Sequence, residues 1–142
     1  MSDKDKMISV LNEVVVPVLR SKGFSGSFPH FRRILNDRVD LLMFQFNRYG
    51  GSFVVEVARA PVKGLIVNGK RIPPEKLNLY HTLSLNSYRL GSKHEDHWFR
   101  YGWPQLKINE SLKKIFVDIY KKLANEVVEL IETEAEEFWK NE

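Results

Sequence analysis

Two runs of alternating apolar residues, joined by Gly50-Gly51, constrain the fold of this chain more than any other feature. The first run, residues 39–49, places Leu42 and Phe44 on one face, and the second run starts at Phe53. Alternation with a period of two is typical of strands that have one buried face. A two-residue glycine connection predicts a hairpin, because parallel pairing would need a crossover of a dozen residues or more.

Two further runs extend this hairpin into a sheet. Residues 28–35 predict a strand before it, after a turn at residues 25–27, and residues 80–90 predict a fourth strand after it. Between the third and fourth strands, residues 65–72 predict a minor hairpin that turns at Asn68-Gly69. The four main runs predict an antiparallel meander.

A helix is predicted on each side of the meander. Residues 3–22 repeat apolar side chains at helical spacing, with a kink or break expected near Pro17 and a left-handed end at Gly23. A long second helix follows Pro104, with Asn109 as a plausible N-cap. Its apolar stripe contains Leu112, Ile115, Ile119, Leu123, Val127, Leu130 or Ile131, and Phe138. Its acidic end, from Glu126 onward, is expected to project partly into solvent.

These elements predict a single α+β domain over residues 1–142, in the order α-β-β-β-β-α, with both helices packed on one face of the sheet. Two helices are too few to cover both faces of a four-stranded sheet. The other face is therefore expected to meet water or a partner.

Composition excludes several classes of protein. The 142 residues contain no cysteine, which rules out a disulfide scaffold, a thiol nucleophile and any cysteine-based metal site. No apolar run approaches the roughly 18 residues that span a bilayer, and the charged first residues lack a signal-peptide core. We expect a cytoplasmic protein with no membrane contact.

The order of several short motifs resembles a bacterial family known only as domain of unknown function 4304. The matching segments are residues 19–24, Phe31-Arg32-Arg33, the Phe44-Gln45 strand, Arg89-Leu90-Gly91 and Asp96-His97-Trp98-Phe99. This chain has His97 where the family usually has lysine. The resemblance implies a compact α+β domain and no particular activity.

One group of side chains has the composition of a metal or acid–base site. His94, Asp96 and His97 lie within four residues, and His81 precedes them. Imidazole and carboxylate groups are common zinc ligands, but the tetrapeptide lacks the His-Glu-x-x-His spacing and lies in a predicted loop. We expect a polar turn here and no bound metal or cofactor, with a metal-dependent or acid–base enzyme as the alternative.

Arginines give the domain body a basic character. The formal net charge is +4, and every arginine precedes residue 101. Arginine offers a planar fork of donors to carboxylates and phosphates. Several arginines are predicted to share the open face of the sheet: Arg32, Arg33, Arg48, Arg59 and Arg89. If they do, charge reversal at Arg33 and Arg59 should leave stability almost unchanged.

The segment before Pro104 is rich in aromatic residues: Trp98, Phe99, Tyr101 and Trp103. Such a cluster closes one end of the core, since aromatic side chains bury large areas, or it forms a recognition patch beside Arg89, since Tyr, Trp and Arg dominate binding hot spots. We favour the closing role.

The sequence thus favours a non-catalytic binding or protein-interaction module. Its partner is expected to be a protein or a small anionic ligand, and weak nucleic-acid binding through the arginines is a second alternative. No specific nucleic-acid binding is expected. The candidate binding residues are Arg33, Arg48, Arg59, Arg89, Tyr88, Trp98 and Trp103.

Overall fold

A computed structural model describes residues 2–82, 87–92, 97–102 and 119–141. Helix α1 spans Asp3–Ser21. It begins at a capping box, in which the Ser2 hydroxyl accepts from the Asp5 amide and the Asp5 carboxylate accepts from the Ser2 amide. The helix continues through Pro17 without a break and ends before Gly23, whose φ of +94° confirms the predicted left-handed end.

The described strands form a six-stranded antiparallel sheet. Their bounds are β1 Ser25–Ser27, β2 His30–Ile34, β3 Val39–Phe46, β4 Ser52–Ala60, β7 Ser87–Arg89 and β8 Phe99–Arg100. The order is β1-β2-β3-β4-β7, and β8 pairs with another part of β4. A separate hairpin consists of β5 (Leu65–Val67) and β6 (Lys70–Ile72), which confirms the predicted minor hairpin.

The helix-covered face carries the main core. Leu42 pairs with Val57 and Phe44 with Val55 across β3 and β4, and all four side chains are buried. Helix α1 adds a buried stripe at four-residue spacing, which consists of Met7, Leu11, Val15 and Leu19. The predicted α+β fold, with an antiparallel meander and a helix at each end, is confirmed.

The opposite face is not open, so this prediction is wrong for the middle of the sheet. Leu41, Met43 and Ala58 are buried there in a second apolar cluster. The covering comes from the segment between β4 and β7, where Leu77 and Leu79 are buried against the sheet. The open-face prediction rests on the number of predicted helices. That inference is wrong because an irregular segment can cover a sheet and bury apolar area as effectively as a helix does.

Two segments differ from the predicted strands. Residues 25–27 form β1 rather than a turn. The backbone packs so closely at Gly26 that a Cβ there would lie 2.5 Å from the His30 carbonyl oxygen. Leu79–Thr82 forms a 3₁₀ turn, so β7 begins at Ser87 among the described residues. The Asn78 side chain accepts from the Tyr80 amide and thereby competes with strand pairing.

The C-terminal helical run changes its winding. Helix α2 spans Ile119–Leu130, a π turn follows at Ile131–Ala135, and helix α3 spans Glu136–Lys140. The wider i→i+5 winding rotates the face of the residues that follow it. Trp139 is therefore fully buried, whereas Phe138, the predicted stripe residue, is half-buried. The predicted start of this helix, with Asn109, Leu112 and Ile115, lies outside the described residues.

Candidate functional site

A cavity of about 710 Å³ opens where the C-terminal helical run crosses the end of β4. Its volume is in the range of small-molecule sites. The lining residues come from the β2–β3 turn, the end of β4, strand β7 and helix α3 with its flanks: Asp37, Arg38, Arg59, Ala60, Pro61, Tyr88, Glu134, Glu137, Phe138 and Asn141. The site therefore joins residues that are far apart in the sequence.

Glu134, in the π turn, fixes one wall of the cavity. Its Oε1 accepts from the Tyr88 hydroxyl at 2.9 Å and from the Gly91 amide at 2.8 Å. Burial and the hydrogen bond to Glu134 raise the pKa of Tyr88 above its usual value, so the hydroxyl remains a donor. The Tyr88 ring stacks on Phe138 with centroids 5.8 Å apart. This wall is aromatic and already hydrogen-bonded.

A buried ion-pair cluster lies beside the cavity. The Asp40 carboxylate is fully buried; Oδ2 accepts from Arg33 Nε at 2.9 Å and Nη2 at 2.7 Å, and Oδ1 accepts from Arg38 Nε at 2.8 Å. Arg33 Nη2 also donates to Glu136 at 2.6 Å. The cluster thus ties strands β2 and β3 to helix α3 beside the cavity.

Two aromatic rings hold the Arg33 guanidinium in place. Its Cζ lies 4.7 Å from the centroid of the Phe24 ring and 5.1 Å from that of Trp139. The Trp139 indole N–H in turn donates to the Ala58 carbonyl at 3.1 Å. Arg33 is therefore a buried structural residue, although the sequence placed it on an open face.

Among the described lining residues, Arg59 has a buried side-chain donor without a partner. Its Nη1 donates to the backbone carbonyl of Asn141, the residue after helix α3. Its Nε is buried and has no hydrogen-bond partner among the described residues. An unsatisfied buried donor is costly, and a water molecule, an ion or another bound group is one explanation for it.

The predicted binding residues do not share one surface. Strand register places Arg33, Arg59 and Tyr88 on the helix-covered face with Leu42 and Val57, which corrects the open-face assignment. Of these three, Arg59 and Tyr88 line the cavity. The predicted assignment was wrong because strand register cannot be read from local sequence patterns, and register decides which residues share a face.

The remaining predicted candidates lie elsewhere. On the opposite face, Arg32 donates to the Leu77 carbonyl and Arg89 contacts Glu56 at 3.4 Å, with Trp98 5.5 Å from the Arg89 guanidinium. Arg48 lies over the exposed Tyr49 ring in the β3–β4 turn. Trp103 lies outside the described residues. Phe99 and Tyr101 are buried in the main core, as the closing role of the aromatic segment predicts.

The described histidines have structural contacts. His81 Nδ1 accepts from the Asn78 amide at 3.0 Å. The His97 ring packs edge-on against Phe99, and it lies where a Cβ at Gly91 would come within 2.8 Å of it. His94 and Asp96, the other members of the predicted metal group, lie outside the described residues. Within the described ranges, no three histidine, aspartate or glutamate side chains are grouped as a metal site requires.

Sequence reasoning missed the acidic half of the cavity. The sequence predicts that the acidic end from Glu126 onward projects partly into solvent, and Glu132 and Glu137 are exposed, whereas Glu134, which lines the cavity, accepts from Tyr88. The available signal was the aromatic pair Phe138-Trp139 within this acidic run, since two large rings predict a packed helix end.

The fold and the cavity define a small α+β domain with a polar, partly aromatic pocket beneath its C-terminal helix. The chain matches the family described as a domain of unknown function, DUF4304, over residues 15–141, and it belongs to that family. Comparisons with curated proteins and with solved structures gave no match. In the described ranges, no helix has the length and apolar character of a membrane span.

Proposed function

We propose that this domain is a non-catalytic binding module that takes a small anionic ligand into the cavity beside Arg59. The observation that carries the proposal is the position of Arg59, which lines a cavity of about 710 Å³ and whose Nε has no hydrogen-bond partner among the described residues. A guanidinium offers five donors, and here one of them is satisfied by the Asn141 carbonyl.

The Asn141 carbonyl shows that Arg59 donates to an oxygen acceptor at this site. It is a neutral backbone oxygen that follows the last helix and is therefore near the end of the described chain. A carboxylate or phosphate oxygen adds charge attraction to its bond with a guanidinium and can take two of the parallel donors, which a neutral carbonyl does not do. An anionic ligand can therefore displace the carbonyl and also satisfy the remaining donors.

The other polar groups of the cavity support binding rather than catalysis. Arg38 is held by Asp40, and Glu134 accepts two hydrogen bonds. The raised pKa of Tyr88 makes its hydroxyl a poor base near neutral pH. A nucleic-acid surface is disfavoured, because Arg32, Arg33 and Arg89 contact groups of the protein itself.

The test is a titration with 3-phenylpropionate and, separately, with inorganic phosphate, followed by the Arg59 Nε–H signal in ¹⁵N NMR and by calorimetry. At least one of these anions should shift that signal and bind. Loss of a hydrogen bond to a charged group costs about 1.5–3 kcal/mol, so Arg59→Gln should weaken binding about 10- to 100-fold.

Arg48→Gln is the matched control, because Arg48 lies in the β3–β4 turn and does not line the cavity. This variant should bind as the wild type does. Equal affinities for the folded Arg59→Gln variant and the wild type, or no binding of either anion, would overturn the proposal.

A further inference from the structure

We propose that the ligand is zwitterionic: a free α-amino acid with a large apolar side chain. Its carboxylate would lie at Arg59 and its ammonium group at Glu137, with Asp37 contributing at the rim. This inference rests on the proposed function and narrows it from any small anion to one chemical class.

The charges of the cavity lining favour a ligand with both signs. Asp37, Glu134 and Glu137 contribute three carboxylates, against the two guanidinium groups of Arg38 and Arg59. A ligand that carries only negative charge would meet net repulsion there, since like charges at close range oppose binding. A cationic group on the ligand removes that repulsion.

Two of these five charges are already used by the protein. Arg38 pairs with the buried Asp40, and Glu134 accepts from Tyr88 and Gly91. In the described part of the chain, neither Asp37 nor Glu137 takes part in an ion pair, and both are exposed. The groups available to a ligand are therefore one cation, Arg59, and these two carboxylates.

The spacing of Glu137 and Asn141 points to an α-amino acid. The Asn141 amide donates to the Glu137 carbonyl, so Asn141, the C-cap residue of α3, lies one turn of chain after Glu137. Arg59 donates to the Asn141 carbonyl and lines the same cavity as Glu137. A ligand that bridges Arg59 and Glu137 across this one turn has its two charged groups close together, as they are on one α-carbon.

The apolar residues that line the cavity favour a ligand with a large apolar side chain. Tyr88 and Phe138 stack at an interplanar angle of 20°, and Ala60 and Pro61 add apolar surface nearby. Aromatic side chains bind other rings through offset or edge-on stacking. An aromatic amino acid uses this wall, whereas a bare phosphate or acetate does not.

Three ligands that differ by one group test the inference by calorimetry: L-phenylalanine, 3-phenylpropionate, which lacks the ammonium group, and 2-phenylethylamine, which lacks the carboxylate. L-Phenylalanine should bind best, by at least about 3-fold over 3-phenylpropionate, a modest factor because Glu137 is exposed to solvent. Glu137→Gln should reduce that preference, because Asp37 is then the remaining free carboxylate of the lining, and should leave 3-phenylpropionate binding equal or stronger.

Glu132→Gln is the control, since Glu132 is an exposed glutamate of the same helical run and does not line the cavity. It should retain the preference for L-phenylalanine. If 3-phenylpropionate binds as tightly as L-phenylalanine and Glu137→Gln changes neither, the zwitterion is wrong and the anion site stands. If none of the three compounds binds, or if the amine binds best, the zwitterion is wrong. The anion site then fails as well only if neither 3-phenylpropionate nor inorganic phosphate binds.

Discussion

Replacing Arg33 with glutamine tests the buried ion-pair cluster directly. The Arg33 side chain is 11% exposed and the Asp40 carboxylate is fully buried, so solvent cannot replace the lost bonds. The variant loses both bonds to Asp40, the bond to Glu136 and the contacts with the Phe24 and Trp139 rings. The open-face hypothesis predicts almost no effect, whereas this structure predicts a large one.

The expected loss is about 3 kcal/mol of unfolding free energy. Breaking a buried ion pair by removing one partner costs about 3–5 kcal/mol, because the other charge remains buried. Arg38 still pairs with Oδ1 of Asp40 in the variant, which places the loss near the lower end of that range. With an m-value of roughly 1–3 kcal/mol/M, the urea midpoint should fall by about 1 M or more.

Urea unfolding followed by circular dichroism and by tryptophan fluorescence measures this loss and tests two-state behaviour. Arg48→Gln, which removes an arginine from an exposed turn, should change stability by less than about 0.5 kcal/mol. The double variant Arg33→Met/Asp40→Leu should be less destabilised than the two single losses together. A loss below about 1 kcal/mol for Arg33→Gln, with an unchanged m-value, would refute the reasoning.

Three further outcomes are expected. Phe44→Ala should lower the free energy of unfolding by about 3–5 kcal/mol, because Phe44 is 2% exposed and lies in the main core. Urea unfolding measures this loss, and a value under about 1 kcal/mol would contradict the burial of Phe44. Burial, with the hydrogen bond to Asp3, raises the pKa of Tyr120 to about 12. The contribution of neutral Tyr120 to the stability of the folded protein is therefore complete below about pH 10, where an unfolded tyrosine titrates, and it is lost as the pH rises towards 12. The difference in tyrosinate absorbance between wild type and Tyr120→Phe should have its midpoint near 12, and a midpoint near 10 would be inconsistent with burial. Elemental analysis of the untagged protein should find no stoichiometric metal; an ion that disappears in the His94→Ala/His97→Ala variant would favour the enzyme alternative.

The cavity was predictable only in part. Residue type alone points to Arg59 and Tyr88, because arginine and tyrosine are typical of binding surfaces. It does not point to Glu134 and Glu137, because an acidic run at a helix end is usually solvated. The π turn, which contains Glu134 and precedes Glu137, has no recognised signature in a single sequence.

The sequence by itself determined the elements whose signals are local. Apolar alternation specified β3 and β4, Gly50-Gly51 specified their turn, and the spacing of Met7 and Leu11 specified the buried stripe of α1. Periodicity and turn chemistry depend on residues that are close along the chain, so the local sequence is sufficient to predict these elements.

Only the tertiary structure decided which residues meet across the fold. The pairing of Asp40 with Arg33, the covering of Leu41 by Leu77, and the contact of Arg59 with the end of α3 all depend on strand register and on the path of irregular segments. A shift of one residue in register moves every side chain of a strand to the other face. Packing of the whole chain fixes that register. Packing is therefore the reason why Arg33 lies in the buried cluster and Arg59 lines the cavity, rather than both lying on an open face.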